Sequence, residues 1–348
     1  MNASDSPNRA LQLRAANNHI DWFEKQSRVF GTPRGSTDGA SWAVDDGAAN
    51  LLFPEFDDQD AAAQIDDIVA TWRLDPGVTR AGCWSLLPST PAHLGALLFA
   101  RGWGAGWQPW WMRLDLTTWK PGATHVPGIE LAISDDLAGS VAARLPYHSP
   151  QNAADQARLA QLESVRFVTA RRGGKLVGKI AVSICKEDRS AGLYGSGVAP
   201  HWRNRGIGAA LTTTACMIAA ESACDDVLLN ATAMGAPVYR RVGFAHIGEG
   251  QTWWLPAERL GFTPPPNQLA FVEAFGRGDT SAAEAFLPEE LDAVLPCGLT
   301  PVEIAVRSGQ PGSVDWLVAH GATLDLISCW DLGWHDRAAA LALEQPSL

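Results

Sequence analysis

The stretch Val198-Ala199-Pro200-His201-Trp202-Arg203-Asn204-Arg205-Gly206-Ile207-Gly208-Ala209 constrains this chain more than any other. It follows an apolar run from Gly192 to Val198 and precedes a helix-like stretch reaching Ala223. A strand that ends in an Arg- and Gly-rich turn and then opens a helix aims unpaired backbone N–H groups, and the positive end of the helix dipole, at one point. That point suits a pyrophosphate. Gly206 and Gly208 carry no Cβ, so phosphate oxygens can approach the backbone, while Arg203 and Arg205 supply charge-assisted hydrogen bonds. The turn lacks the Lys-Ser/Thr that closes a P-loop and the three spaced glycines of a dinucleotide fingerprint.

Composition narrows the setting. At 348 residues the chain is long enough for two or three domains, each with its own core. With 46% hydrophobic and 19% charged residues it reads as globular rather than disordered. A net charge of -11 argues against nucleic acid as the main partner and favours cationic ligands. Acidic residues crowd Glu55, Asp57, Asp58, Asp60, Asp66 and Asp67, a run that reads as an amine-facing surface or simply as a solvated face. There is no apolar run of membrane-spanning length and no apolar leader, so the expectation is a cytoplasmic protein with no membrane partner. Six cysteines are scattered without a Cys-x-x-Cys pair or a His cluster, which predicts reduced, buried thiols and no metal site.

Arg203-x-x-Gly206-x-Gly208 resembles the acyl-CoA pyrophosphate loop of the GNAT superfamily of N-acetyltransferases. Downstream, strand-like Asp226 to Ala231 is followed by Gly235, Tyr239 and Val242-Gly243-Phe244, which resemble the superfamily's second motif. The resemblance covers residues 128–258. It implies an α/β (α+β) domain, a mixed sheet flanked by helices, that transfers an acetyl group from acetyl-CoA to a primary amine. Carried onto this chain, it makes Val198, Ala199, Pro200, Arg203, Asn204, Arg205, Gly206, Ile207, Gly208 and Ala209 the grip on the cofactor. Tyr239 becomes the candidate general acid for the CoA sulfur, or a residue that only packs on the pantetheine arm. Thr232 stands where many members carry an Asn that touches CoA. The base is open. Many relatives place a Glu on the strand before the loop, but here that strand is Leu193-Tyr194-Gly195-Ser196-Gly197. His148, Glu249 or a water relay are the alternatives.

Periodicity divides the chain into three blocks. Residues 1–120 mix helix-like segments (Asn18 to Val29, Asp60 to Trp72) with strand-like ones (Ala40 to Val44, Ala81 to Leu87, Trp111 to Leu116). Their later part, from Pro88-Ser89-Thr90-Pro91 to Met112–Leu116, resembles the degenerate leading lobe of two-lobed GNAT proteins and has no Arg/Gly loop, so no CoA is expected there. The block 128–258 should carry the chemistry, with helices over Asp135–Arg144 and Asn152–Glu163 and a hairpin turning at Gly173-Gly174. Its closing strands are expected near Ala245–Gly248 and Thr252–Leu255.

Beyond Pro264-Pro265-Pro266, residues 267–348 resemble ankyrin repeats: Thr300-Pro301 opens a helix, and Cys297-Gly298-Leu299 recurs as Trp330-Asp331-Leu332 at a spacing of 33. Three functions fit: a small-molecule amine N-acetyltransferase with a detoxifying or antibiotic-modifying role and a tail for docking a protein partner or for self-association, a protein N-acetyltransferase recruiting its substrate through the tail, and a non-catalytic acyl-CoA-binding scaffold. The Trp103, Trp107, Trp110 and Trp111 cluster reads either as packing or as the lining of an acceptor cleft.

Overall fold

The computed structural model describes residues 7–146 and 149–344. In chain order the elements are α1 (Pro7–Phe30), β1 (Arg34–Thr37), β2 (Ala40–Asp45), β3 (Ala48–Leu52), α2 (Ala61–Arg73), β4 (Arg80–Leu86), α3 (Leu94–Ala100), β5 (Gly104–Ala105), β6 (Trp110–Asp115) and β7 (Glu130–Ile133). There follow α4 (Pro150–Leu159), β8 (Val165–Arg172), β9 (Lys175–Cys185), β10 (Ser190–Val198), α5 (Ile207–Glu221), β11 (Asp226–Ala231), α6 (Ala236–Val242) and β12 (Ala245–Leu255). The rest is helical: α7 (Ala257–Leu260), α8 (Pro266–Gly276), α9 (Thr280–Glu284), α10 (Pro301–Arg307), α11 (Pro311–Ala319), α12 (Leu326–Asp331) and α13 (His335–Glu344).

The chain gathers into two compact units. The first holds residues up to Gly35, Ser41–Asp45 and Gln108–Gln251; the second holds Ser36–Ala40, Asp46–Trp107 and the chain from Thr252 onward. This grouping differs from the three sequence blocks, because α1 and β6 pack within the first unit and the helical tail packs with β4 and α3 in the second.

The first unit is a mixed sheet in the order β12, β6, β11, β10, β9, β8, β7. Only β10 and β11 run parallel; α5 is the crossover between them, as a parallel pair requires. The hairpin β8–β9 turns at Gly173 and Gly174 as expected, both with positive φ, +51° and +75°. The helix expected over Asp135–Arg144 is instead a single 3-10 turn at Ala138–Ser140. Gly139 weakens a helix there, and it lies so close to Leu176 that an added Cβ would stand 3.0 Å from the Leu176 Cβ. The two expected closing strands are one, β12.

One face of this sheet buries Ile180, Val182, Ala191, Leu193 and Val227 against Ile207 and Leu211 of α5. On the other face lies α1. Its Asn18 amide donates to Ser190 Oγ at 3.0 Å and its Oδ1 accepts from the Tyr194 hydroxyl at 2.7 Å, while Trp22 stacks on Tyr194 with ring centroids 4.5 Å apart. Lys25 donates to Ser183 Oγ and the Ile184 carbonyl, and Arg14 and Arg113 both meet the buried Asp226 carboxylate. A buried charge tolerates such a place only with partners of this kind.

In the second unit β3 and β4 pair in parallel across the crossover α2, and β3 is buried at every position, as a covered parallel strand should be. α3 packs on α8 so closely that a Cβ at Gly276 would lie 2.3 Å from the Ala96 Cβ. Arg101, 7% exposed, ties the tail down: it donates to both Asp66 oxygens at 2.7 and 2.9 Å and to Glu273 of α8 at 2.6 Å. The tail itself forms three helical hairpins, α8/α9, α10/α11 and α12/α13, with α10 against both α8 and α12. Each hairpin turns on a left-handed glycine, Gly278, Gly309 or Gly333, whose N–H donates three residues back.

Burial holds the His19 imidazole at about 3 against an ordinary 6.5. The unfolded chain therefore binds a proton below pH 6.5 that the folded chain refuses until about pH 3, and stability should fall as pH drops through that window, by about 1.4 kcal/mol per unit. Urea midpoints taken across that range should show this slope in the native protein and a flatter one in His19→Leu. Arg101→Met should lower unfolding free energy by about 3 kcal/mol, because it strands Glu273 beside α3; an unchanged denaturation midpoint would remove Arg101 as the tie.

Candidate active site

Pairing between β10 and β11 is short. It runs from Ser190 opposite Asp226 to Gly192 opposite Leu228, and beyond Gly192 no further pair forms between the two strands. On its other edge β10 stays paired with β9 to Val198, with a bulge between Tyr194 and Gly197. Gly195, in the bulge, has a φ of +55°, a backbone shape that glycine adopts at little cost. Pro146 fills the place a Gly197 side chain would need: an added Cβ would stand 2.2 Å from its Cδ. The Ala199 N–H donates to the Val177 carbonyl at 2.8 Å. Backbone groups of successive strand residues point to alternate sides, so those of Val198 face away from β9, into the slot that opens beside β11.

The loop then delivers α5 to the mouth of that slot. Asn204 and Gly206 both adopt left-handed φ, +61° and +81°, which suits an Asn and a Gly. Gly206 is the N-cap of α5 and no side chain caps the helix, so the first-turn N–H groups of Ile207, Gly208 and Ala209 have no intrahelical acceptor. Ile207 itself is buried in the core and contributes through its backbone. Gly208 faces Val198 and Val238 at ordinary contact distance. Arg203 is exposed and its Nε donates to the Val198 carbonyl at 3.2 Å. Arg205, also exposed, lies 4.9 Å over the Trp202 ring, whose other neighbour is Arg172 at 4.8 Å. Ala199 and Pro200 offer no free N–H donor, so their part is to shape the turn.

Tyr239, on α6, is half-buried with the Ser196 side chain of the β10 bulge close enough to bear on its phenol. Burial pushes that phenol above the ordinary value, and Ser196 pulls the other way. The group stays protonated at neutral pH, as an acid must. Thr232 is exposed and spends its hydroxyl on the Gly235 N–H at 3.1 Å, closing the turn into α6. Glu249 is exposed on β12, opposite Trp110. His148 lies outside the described residues. Trp111 is buried beside His19 in the first unit, and Trp103 is buried near Trp72 in the second, so both serve as packing.

Sequence reasoning gave no role to Ser196 or Trp202, neither of which carries a signal in isolation. It also passed over Lys179, a cation inside the apolar run Leu176–Ile184 and only 1% exposed, where a signal did exist.

Comparison with known proteins gives a family for part of the chain and a likeness in fold. The family model described as "Acetyltransferase (GNAT) family" matches residues 140–244. This segment is a GNAT acetyltransferase domain. Solved structures extend the likeness in fold. A GCN5-related N-acetyltransferase from Kribbella flavida is 16% identical, with a TM-score of 0.54, over 70% of this chain and 95% of its own. A Drosophila protein is 15% identical, with a TM-score of 0.50, over 70% of this chain and 89% of its own. A tandem GNAT protein from the clavulanic acid biosynthesis pathway is 15% identical, with a TM-score of 0.48, over 70% and 95%. No curated protein matches the chain. Among the described residues no helix is long and apolar enough to cross a membrane.

Reversing the charges of Arg203 and Arg205 to Glu should leave the melting temperature of the exposed loop's host unchanged and weaken CoA binding about tenfold or more per Arg. Titration calorimetry on the full chain measures it; equal affinities for variant and native protein would take the loop out of the cofactor site.

Proposed function

We propose that the chain is an acetyl-CoA-dependent N-acetyltransferase acting on a primary amine of a small molecule. One observation carries this reading: the uncapped, glycine-led start of α5 and the Tyr239 phenol lie at the bulged end of β10, whose edge toward β11 is unpaired. Phosphates suit the N–H groups of Ile207, Gly208 and Ala209 together with Arg203 and Arg205, while Val198 turns its backbone N–H into the slot where a thioester arm would lie. The thioester supplies the acetyl group. Tyr239 then protonates the departing sulfur.

A small acceptor is favoured because α1 covers the second face of β10 as far as Tyr194, which leaves little open strand for a polypeptide. The net charge of -11 suits a cationic amine. A second reading, a protein N-acetyltransferase with an ankyrin-like recruiting tail, draws on the three helical hairpins with equivalent glycine turns.

Native protein incubated with acetyl-CoA and a panel of amine metabolites should release free thiol and add one acetyl group to at least one of them. Tyr239→Phe should lower that turnover about 100-fold while CoA affinity stays within about twofold. Saturable CoA binding with no thiol released on any acceptor would replace the transferase by a scaffold.

A further inference from the structure

A free amine is the nucleophile that acyl transfer needs, and an ammonium ion has no lone pair. The strand that carries the bulge, β10, holds no carboxylate to take the proton. One strand away the structure offers another group. Lys179 of β9 is the register partner of Gly197, immediately after the bulge. Its strand neighbour Gly178 turns toward Ile207 and Leu211 of α5, so Lys179 turns to the opposite face, where its amine meets Gln156 Oε1 of α4 at 2.5 Å. Its residue exposure is 1%.

We propose that the Lys179 amine is the base that deprotonates the acceptor, from the face of the sheet opposite α5. This rests on the transferase reading above. Neutral Lys179 takes one proton from the acceptor ammonium and becomes an ammonium itself. The freed amine forms the new C–N bond to the thioester carbonyl carbon. The C–S bond breaks, the sulfur takes the Tyr239 proton, and the amide nitrogen's surplus proton returns the Tyr239 phenolate to the phenol. Lys179 returns its proton to solvent.

Three features suit the role. Gln156 is the one hydrogen-bond acceptor that Lys179 meets among the described residues, and it is neutral. The charged groups of the surrounding elements are engaged elsewhere: Asp155 of α4 with Gln151 and Arg158, Asp136 before the 3-10 turn with Arg171 of β8, and Asp21 of α1 with Lys25. Tyr194 of β10 gives its hydroxyl to Asn18. With no carboxylate to hold the charge, burial brings the Lys179 amine down to about 8, so a substantial fraction is neutral near physiological pH.

The chain has five lysines, so carbon-labelled lysine NMR of the full-length protein can follow each ammonium through pH. One resonance should titrate near pH 8 and vanish in Lys179→Met. On an amine that native protein acetylates, turnover should rise with pH to a plateau above that value, and Lys179→Arg and Lys179→Gln should each lose about 100-fold in kcat. Both should keep native CoA affinity by calorimetry, which shows that the fold is intact. Lys179→Arg within about twofold of native turnover would overturn the base, because it would assign the position a fixed positive charge instead. So would a Lys179 resonance titrating near the ordinary lysine value. Native protein inert on every amine would overturn the transferase reading and the base with it, whereas an active native protein with an active Arg variant overturns the base alone.

Discussion

Parallel strands β10 and β11 share three paired residues and then part, and the open slot of the first unit depends on that parting. Left unpaired, backbone N–H and C=O groups along the open edge need another partner, which makes the slot a place for a ligand with its own donors and acceptors. Two local devices hold it open. The bulge at Gly195 and Ser196 bends β10 away, and Pro146 sits tightly on Gly197, so the strand cannot swing toward its own second face. Because α5 begins nine residues after β10 ends, its positive end arrives at the mouth of the same slot. Tyr239 lies toward Ser196, so a buried phenol and the uncapped start of α5, separated in sequence, are set at the same end of β10.

What could be read in the sequence was local. The strand, turn and helix around Gly206, the Gly173-Gly174 hairpin and the β11 strand announce themselves through glycine placement and apolar period, and each falls within a few residues of its expected place. Arg172 stacked on Trp202 and the closeness of Ser196 to Tyr239 depend on register between strands and helices far apart in sequence, for which a linear pattern holds no information. Lys179 is different, because a lysine amid Leu176, Val177, Ile180 and Val182 is a burial signal in its own right. The expected break in β12 fails for a related reason. Gly248 and Gly250 look like a turn, yet Gly248 pairs with Trp111 after a register shift and the Gly250 N–H is satisfied by the Pro109 carbonyl, so the strand runs on.

The largest departure from linear reading is the origin of β6. It lies upstream of the catalytic segment, yet it pairs along its whole length with β11, from Asp115 opposite Asp226 to Trp110 opposite Ala231, and its other edge takes β12. Without β6 the edge of β11 would stand unpaired next to the slot. α1 completes the same unit from still further upstream, through Asn18, Trp22 and Lys25. A segment limited to residues 140–244 therefore lacks one central strand and the cover of its second face.

The choice of lysine over carboxylate at the second face has a consequence for recognition. Burial raises the pKa of a carboxyl group and lowers that of an ammonium, so in one and the same dry place the ionised carboxylate is a stronger base and the lysine holds a larger neutral fraction able to accept a proton. They differ in charge before the proton moves. A carboxylate attracts an ammonium acceptor and neutralises it in place, whereas neutral Lys179 attracts nothing and becomes a buried cation afterward. Gln156 Oε1 accepts a hydrogen bond from either form, which eases that step without fixing the charge. The new cation has no counter-ion among its described neighbours, so burial favours rapid loss of the proton and resets the base. Attraction for the acceptor's positive charge must then come from outside this face, and an acidic chain of net charge -11 supplies it as a long-range field rather than as a contact.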